Sequence, residues 1–329
     1  MTMNADDYSL LKILSDGQFY SGEFLARQCA VTRAAIWKRI QHLNEMPGIE
    51  IQSVRGKGYR LTEPLELLNA EQILARIESG LFSRLPVLQV LPAISSTNEF
   101  LANQCSPLMH GGHACAAEYQ TAGRGRRGRR WVSVFGRNIY LSLAWRFDLS
   151  MGALAGLSIA IGVAIARVLT AHGLQGHGLK WPNDIHIQGQ KLAGILVEAN
   201  GEMDGPCQAV IGVGINIQLP ELAAEEIEQP WTDLAKYLAS LPNRNQLAGD
   251  LLNSLLKTCI QYQQQGLSPF LSEWEEYDIY MGKEVELVMG SNTITGIYRG
   301  LNDQGAMLLD SPQGRKAWYA GEVSLRGKT

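Results

Sequence analysis

The chain of 329 residues and 36.2 kDa is 46% hydrophobic and 19% charged, which excludes a wholly disordered protein. At ~100–200 residues per domain, that length predicts two or three domains. A net charge of −3 and a pI near 6.1 exclude a uniformly basic nucleic-acid coat, yet residues 1–61 hold 8 Lys/Arg against 6 Asp/Glu. From Tyr20 to Leu61 the balance is 7 against 3, so a basic N-terminal piece precedes a larger acidic one, and nucleic acid is expected at that end.

Leu10, Leu11 and Leu14 predict a first helix that stops at Asp16-Gly17. Ser21 and Thr32 stand as N-caps of helices over Gly22 to Cys29 and Arg33 to Asn44, because their hydroxyls accept a free N–H of the first turn. Ile36, Ile40 and Leu43 share one face of the third helix, leaving Arg33, Trp37, Lys38 and Gln41 more exposed. Ile49 and Ile51 alternate in a strand, Arg55-Gly56-Lys57-Gly58 turns, and Tyr59 and Leu61 face inward on the return. This order resembles a winged helix-turn-helix, whose second helix enters the DNA major groove while the wing touches the backbone. A small helical protein-interaction module is the alternative. The DNA reading rests on Gly22 to Gln41, with Thr32, Arg33, Trp37, Lys38, Arg39 and Gln41, and on Arg55 and Lys57 of the wing. Ala30 stands where many such turns carry Gly, and a left-handed residue there costs Ala ~1 kcal/mol more than Gly.

Pro64 marks a boundary. Beyond it, strands are predicted over Val87 to Leu91, Ala114 to Glu118, Ile139 to Trp145, Leu192 to Glu198 and Ala209 to Ile217, alternating with helical patterns in an α/β or α+β domain of about 200 residues. The uncharged run Met151 to Ala166 is too short for the ~20 residues of a membrane span. Its Leu154, Leu157, Ile161 and Ile165, with Val168 beyond, recur at spacings of three and four, which predicts a buried core helix.

Three loops of this domain carry chemistry. Ser96 and Glu99 have the spacing of a capping box, while Ser96, Thr97 and Asn98 at a helix start also offer donors and acceptors to a polar ligand. The stretch Gln120 to Trp131 holds five Arg within residues 124–130, interleaved with Gly. It reads as a loop folding over a phosphate or carboxylate, against a nucleic-acid patch or a solvated loop. No GK[ST] or strand-turn-helix setting makes it a P-loop. Lys180-Trp181-Pro182-Asn183-Asp184 precedes a turn at Gln188-Gly189-Gln190 and then Lys191-Leu192-Ala193-Gly194-Ile195. Lys is rarely buried without an anion, so Lys191, entering an apolar run, is a candidate ligand-binding cation. None of the six histidines joins a Ser/His/Asp or Cys/His arrangement, so charge stabilisation at a phosphate is expected over covalent catalysis.

A helical stretch, Leu247 to Tyr277, leads to a β-patterned tail with strands over Lys283 to Met289, Thr293 to Gly300, Ala306 to Asp310 and Ala317 to Leu325. Short strands at that spacing predict a small antiparallel barrel. The five cysteines (Cys29, Cys105, Cys115, Cys207, Cys259) form no CxxC pair, which fits a reducing, cytoplasmic setting; the N-terminus does not read as a signal peptide.

Taken together, Ser96-Thr97-Asn98, Glu118-Tyr119-Gln120, Gly123 to Arg129, Lys180 to Asp184, Lys191 to Ile195 and Gly212-Val213-Gly214-Ile215-Asn216 resemble the biotin–protein ligases. With a winged helix ahead and a β tail behind, residues 8–329 are similar to the bifunctional ligase–repressor form. The resemblance implies an α+β chain with a winged helix-turn-helix (1–62), a mixed α/β ligase domain (63–277) and an SH3-like β-barrel (278–329). It implies that biotin and ATP, with Mg²⁺, form biotinyl-5′-adenylate, which a lysine of the biotin carboxyl carrier protein of acetyl-CoA carboxylase then attacks. Ser96, Thr97, Asn98 and Gln120 would meet biotin, and Arg124, Gly125 and Arg126 would close over it. Lys191 would sit at the carboxyl–phosphate junction and Lys180 at the reacting phosphate. Asn183, Asn216 and Trp231, with Lys180, would form the nucleotide side. The adenylate would act as corepressor, promoting a homodimer on operator DNA. A biotin sensor without ligase activity and a lipoate–protein ligase are the alternatives; no membrane partner is expected.

Overall fold

The computed structural model describes residues 3–104, 111–201, 205–220, 225–289, 292–319 and 324–327. Its N-terminal helices begin where capping side chains permit: Asn4 accepts from Asp7 N at α1 (Ala5–Leu14), Ser21 from Phe24 N at α2 (Gly22–Gln28) and Thr32 from Ala35 N at α3 (Arg33–Asn44). Leu10, Leu14, Leu25, Ile36, Ile40 and Leu43 are buried together under the wing, β1 (Ile51–Val54) and β2 (Gly58–Leu61), which contributes Leu61. Ala30, in the α2–α3 turn, is left-handed with φ +52°. Arg39 departs from the expected DNA face: it is 2.6 Å from Asp6 and ties α3 to α1, because its position on the helix points it at the first helix.

After a short α4 (Ala70–Leu74), the central domain is built on a seven-stranded sheet. Its strands are β3 (Val87–Leu91), β4 (His113–Ala117), β5 (Ile139–Phe147), β6 (His177–Lys180), β7 (Asp184–Ile187), β8 (Gln190–Gly201) and β9 (Cys207–Ile215). They lie in the order β3-β4-β5-β9-β8-β7-β6, with β3–β4 parallel and every other pair antiparallel. One short helix, α5 (Thr97–Gln104), packs on β4, β5 and β9. The apolar run continues into α6 (Leu157–Ala171), whose Leu157, Ile161, Ile165 and Leu169 are buried, so its hydropathy is that of a core helix. The helical stretch Leu247 to Tyr277 comprises two helices, α7 (Arg244–Gln265) and α8 (Ser268–Tyr277), separated at Gly266, whose φ of +67° lies outside helical space.

The tail is a five-stranded antiparallel sheet of β10 (Glu284–Met289), β11 (Asn292–Leu301), β12 (Met307–Ser311), β13 (Gly314–Trp318) and β14 (Ser324–Gly327). The order β13-β12-β11-β10-β14 puts the last two strands at opposite edges, so the single strand expected over Ala317 to Leu325 is in fact the ends of two. Val285, Leu287, Tyr298 and Met307 join the same core as α6 and α7. Residues Cys105, 221–224 of the acidic loop and 290–291 of a tail turn lie outside the described residues.

Candidate active site

The end of the seven-stranded sheet opens into a cavity of about 680 Å³. Its floor is backbone: Gly194 on β8 and Gly212 and Gly214 on β9 present no side chain. A Cβ at Gly214 would stand 2.7 Å from the Trp131 ring, and one at Gly212 would overlap Asn98 Oδ1. The glycines therefore create the space that the surrounding polar groups occupy.

At one side lies the start of α5. Thr97 donates from its N and Oγ1 to Gln120 Oε1 at 2.8 and 3.1 Å, and Gln120 N donates to Ser133 Oγ at 2.9 Å. Asn98 Nδ2 donates to Glu198 Oε2 at 2.8 Å, while Ser142 Oγ is 2.7 Å from both Asn98 Oδ1 and Thr97 Oγ1. Ser96 Oγ accepts from Glu99 N at 3.5 Å, half of the capping box; the Glu99 carboxylate instead accepts from Ser95 Oγ at 2.7 Å. Ser96, Thr97 and Asn98 are each at most 4% exposed, so the network fixes their rotamers and leaves a rigid set of donors and acceptors.

The other side is cationic. Residues 124–130 form a small hairpin: Arg124 bridges Arg130, Gly125 N donates to Arg129 O at 2.7 Å, and Arg127 and Gly128 turn through left-handed backbone. Arg126 Nη1 donates to Asn183 Oδ1 at 3.1 Å, and Arg124 is 3.6 Å from Glu198. Burial, reinforced by Arg127 and Arg129, pulls Arg126 below the ordinary guanidinium range, while Asp184 pulls the other way. Lys191 Nζ is 2.8 Å from Asp184 Oδ1 and 5.5 Å from the centre of the Trp131 ring. Burial would raise the Asp184 carboxyl, but Lys191 and His186 outweigh it and hold it well below the ordinary carboxylate range. Seven Arg and Lys side chains line the cavity against two carboxylates, Asp184 and Glu228. Crowded cations in a concave site favour a polyanion, whose charge relieves their repulsion.

The cavity thus brings together Ser96, Thr97, Asn98, Gln120, Arg124, Gly125, Arg126, Lys180, Asn183 and Lys191. Two expected residues stand outside its lining. Asn216 is buried and donates from Nδ2 to Thr232 O at 3.1 Å, holding the following loop. Trp231 pairs through its backbone with Lys191, and its ring carries Lys236 at 4.2 Å. Sequence reasoning missed Ser142, Trp131 and Tyr280. A lone Ser in the apolar run Ile139 to Phe147 is a visible signal for the first; Tyr280 reaches the cavity from the tail and carries none.

The N-terminal surface is separate. Thr32, Arg33, Trp37, Lys38 and Gln41 are exposed along α3, and Arg55 and Lys57 are exposed at the wing, where Lys57 Nζ lies 5.6 Å from the Phe19 ring.

Residues 90–216 match the biotin/lipoate A/B protein ligase family, residues 8–60 an HTH domain and residues 280–326 the biotin protein ligase C-terminal domain. Over 326 residues the chain is 43% identical to the bifunctional ligase/repressor BirA of Escherichia coli K12, covering 99% of each chain. The chain belongs to the bifunctional ligase/repressor family. It is 31% identical to the Bacillus subtilis member over 94% of each chain. Among solved structures it is similar to the Aquifex aeolicus biotin protein ligase in complex with biotin and ATP, with a TM-score of 0.62, 28% identity and coverage of 73% of this chain and 99% of that one. Family membership makes this chain a biotin–protein ligase that carries a DNA-binding repressor domain.

Proposed function

We propose that biotin lies between the Ser96–Thr97–Asn98–Gln120 network and Lys191, with its carboxylate toward the arginine hairpin and ATP along the cationic side. The observation that carries this reading is the polarity of the cavity: a neutral hydrogen-bonding end and a cationic end share one glycine floor. A ureido-type head group needs fixed donors and acceptors, whereas the reacting end joins two anions.

In the first step a biotin carboxylate oxygen attacks the α-phosphorus of ATP, and pyrophosphate leaves with the bonding pair. Lys191 and Arg126 reduce the repulsion between carboxylate and phosphate, and Lys180 stabilises the charge that gathers on the phosphate. Mg²⁺ would arrive with the nucleotide as MgATP and would add positive charge at the triphosphate beside that of Lys180 and Arg126. In the second step a carrier-protein lysine amine attacks the biotinyl carbonyl, AMP leaves, and the amine loses a proton. The hairpin over residues 124–130 shields the adenylate from water until then.

On this reading residues 63–277 carry the chemistry, with 278–329 packed against it, and residues 1–62 read DNA through Thr32, Arg33, Trp37, Lys38, Gln41 and the wing. Asn183 stands beside the nucleotide, with Asn216 and Trp231 supporting that side from behind. The adenylate promotes a homodimer so that two recognition helices reach two half-sites. Both activities place the protein in the cytoplasm. Incubation with a biotin carboxyl carrier domain, ATP and either biotin or lipoate tests the proposal by intact mass. One biotinyl adduct on the carrier lysine is expected with biotin and none with lipoate; a lipoyl adduct, or no adduct with either, would overturn it.

A further inference from the structure

Lys180 ends β6, the edge strand of the seven-stranded sheet, and both of its neighbours are held by the C-terminal unit. On one side Ile279 N donates to Leu179 O at 3.1 Å, and Asp278 pairs with Leu179 as a parallel bridge. The approach is close enough to require Gly178, where a Cβ would stand 2.6 Å from Tyr277 O and overlap Ile279. On the other side Trp181 Nε1 donates to Gly305 O at 3.1 Å, in the β11–β12 turn. The Asp278 carboxylate fixes the junction: it accepts from Trp274 Nε1 at 3.0 Å, Tyr298 Oη at 2.6 Å and Tyr280 N at 2.9 Å. Helix α8, the β-sheet and the turn at 278–280 therefore share one anchor. Its consequence is that Tyr280 lines the cavity, with the Lys180 ammonium 6.0 Å from its ring centre.

We propose that Tyr280 is a positioning residue for Lys180, and that Asp278 holds it there. A lysine has a flexible four-carbon stem with many available rotamers, and each contact to its ammonium narrows them. An aromatic face beside the ammonium attracts it through the ring quadrupole and excludes water from that side. The C-terminal unit thereby completes the phosphate end of the cavity instead of only packing behind it. The inference rests on Lys180 acting at the reacting phosphate.

The test is steady-state biotin-dependent ATP–pyrophosphate exchange by the full chain, with Tyr280→Phe, Tyr280→Leu and Lys180→Gln measured side by side with thermal midpoints. Tyr280→Phe keeps the ring face and should stay within twofold of wild type. Tyr280→Leu keeps apolar bulk but loses the face, and kcat should fall about fivefold, within the range of a cation–π contact, with the KM for biotin within twofold and the midpoint unchanged. Lys180→Gln should lose at least a hundredfold in kcat. If Lys180→Gln is inactive while Tyr280→Leu matches wild type, or while Tyr280→Phe falls as far as Tyr280→Leu, the positioning role is overturned and the reading of Lys180 stands. If Lys180→Gln exchanges normally, the reading of Lys180 fails and this inference with it.

Discussion

Lys191 and Asp184 show how a single pair sets both stability and chemistry. Two largely buried opposite charges lie 2.8 Å apart, and the arrangement places an ammonium beside the cavity without leaving it unpaired. Because the folded state holds the Asp184 carboxyl below its ordinary range, it binds fewer protons there than the unfolded chain. The pair's stabilisation is therefore complete above the ordinary carboxylate value of ~3.9 and is lost as pH falls through the folded value. The urea midpoint of the wild type should decline between about pH 5 and pH 3 more steeply than that of Asp184→Asn, which has no carboxyl to protonate. Parallel declines would contradict the sign. Lys191 was legible in the sequence as a cation entering an apolar run. Its partner was not, because Asp184 is seven positions away and reaches it only through the β7–β8 pairing.

At the scale of elements, β9 and the wing make separate claims. Strand β9 runs Gly212-Val213-Gly214 so that alternate positions on the cavity side carry no side chain. Gly212→Ala should displace Asn98, cost about 1–3 kcal/mol of stability through overpacking, and raise the KM for biotin roughly tenfold or more. An unchanged KM would show that Asn98 does not meet biotin. For the wing, Arg55→Glu combined with Lys57→Glu should weaken operator binding and flatten its salt dependence while leaving carrier biotinylation intact. Equal loss of both activities would mean that the wing is part of the ligase. The winged helix was legible because caps, periodicity and turn residues all lie within a few positions of one another. Even the penalty noted for Ala30 has its counterpart in a left-handed φ of +52°. The split of the last strand was missed because its two ends pair with β12 and β10, partners that only the tertiary fold assigns.

Across the whole molecule, one buried node ties the central domain to the segment after the wing and to the N-terminal core. Glu118 is fully buried, 2.9 Å from Arg244, and accepts from Leu68 N in the segment after the wing. Arg244 also donates to the carbonyls of Glu66 and Asn138, while neighbouring Tyr119 joins the N-terminal core and Gln120 the biotin-side network. Glu118→Gln would leave a buried guanidinium without its charge partner, so urea denaturation should register a loss of about 3–5 kcal/mol. A loss under about 1 kcal/mol would mean that the segment is held by other contacts. No sequence pattern announces this node, since its members come from residues 66 to 244 and only tertiary packing assembles them. The central claim, that anionic substrates meet at Lys191, is tested most directly by biotin-dependent ATP–pyrophosphate exchange in the wild type and Lys191→Ala. Exchange that requires biotin in the wild type and falls about a hundredfold or more in Lys191→Ala is the expected result; near-normal exchange in the variant would contradict it.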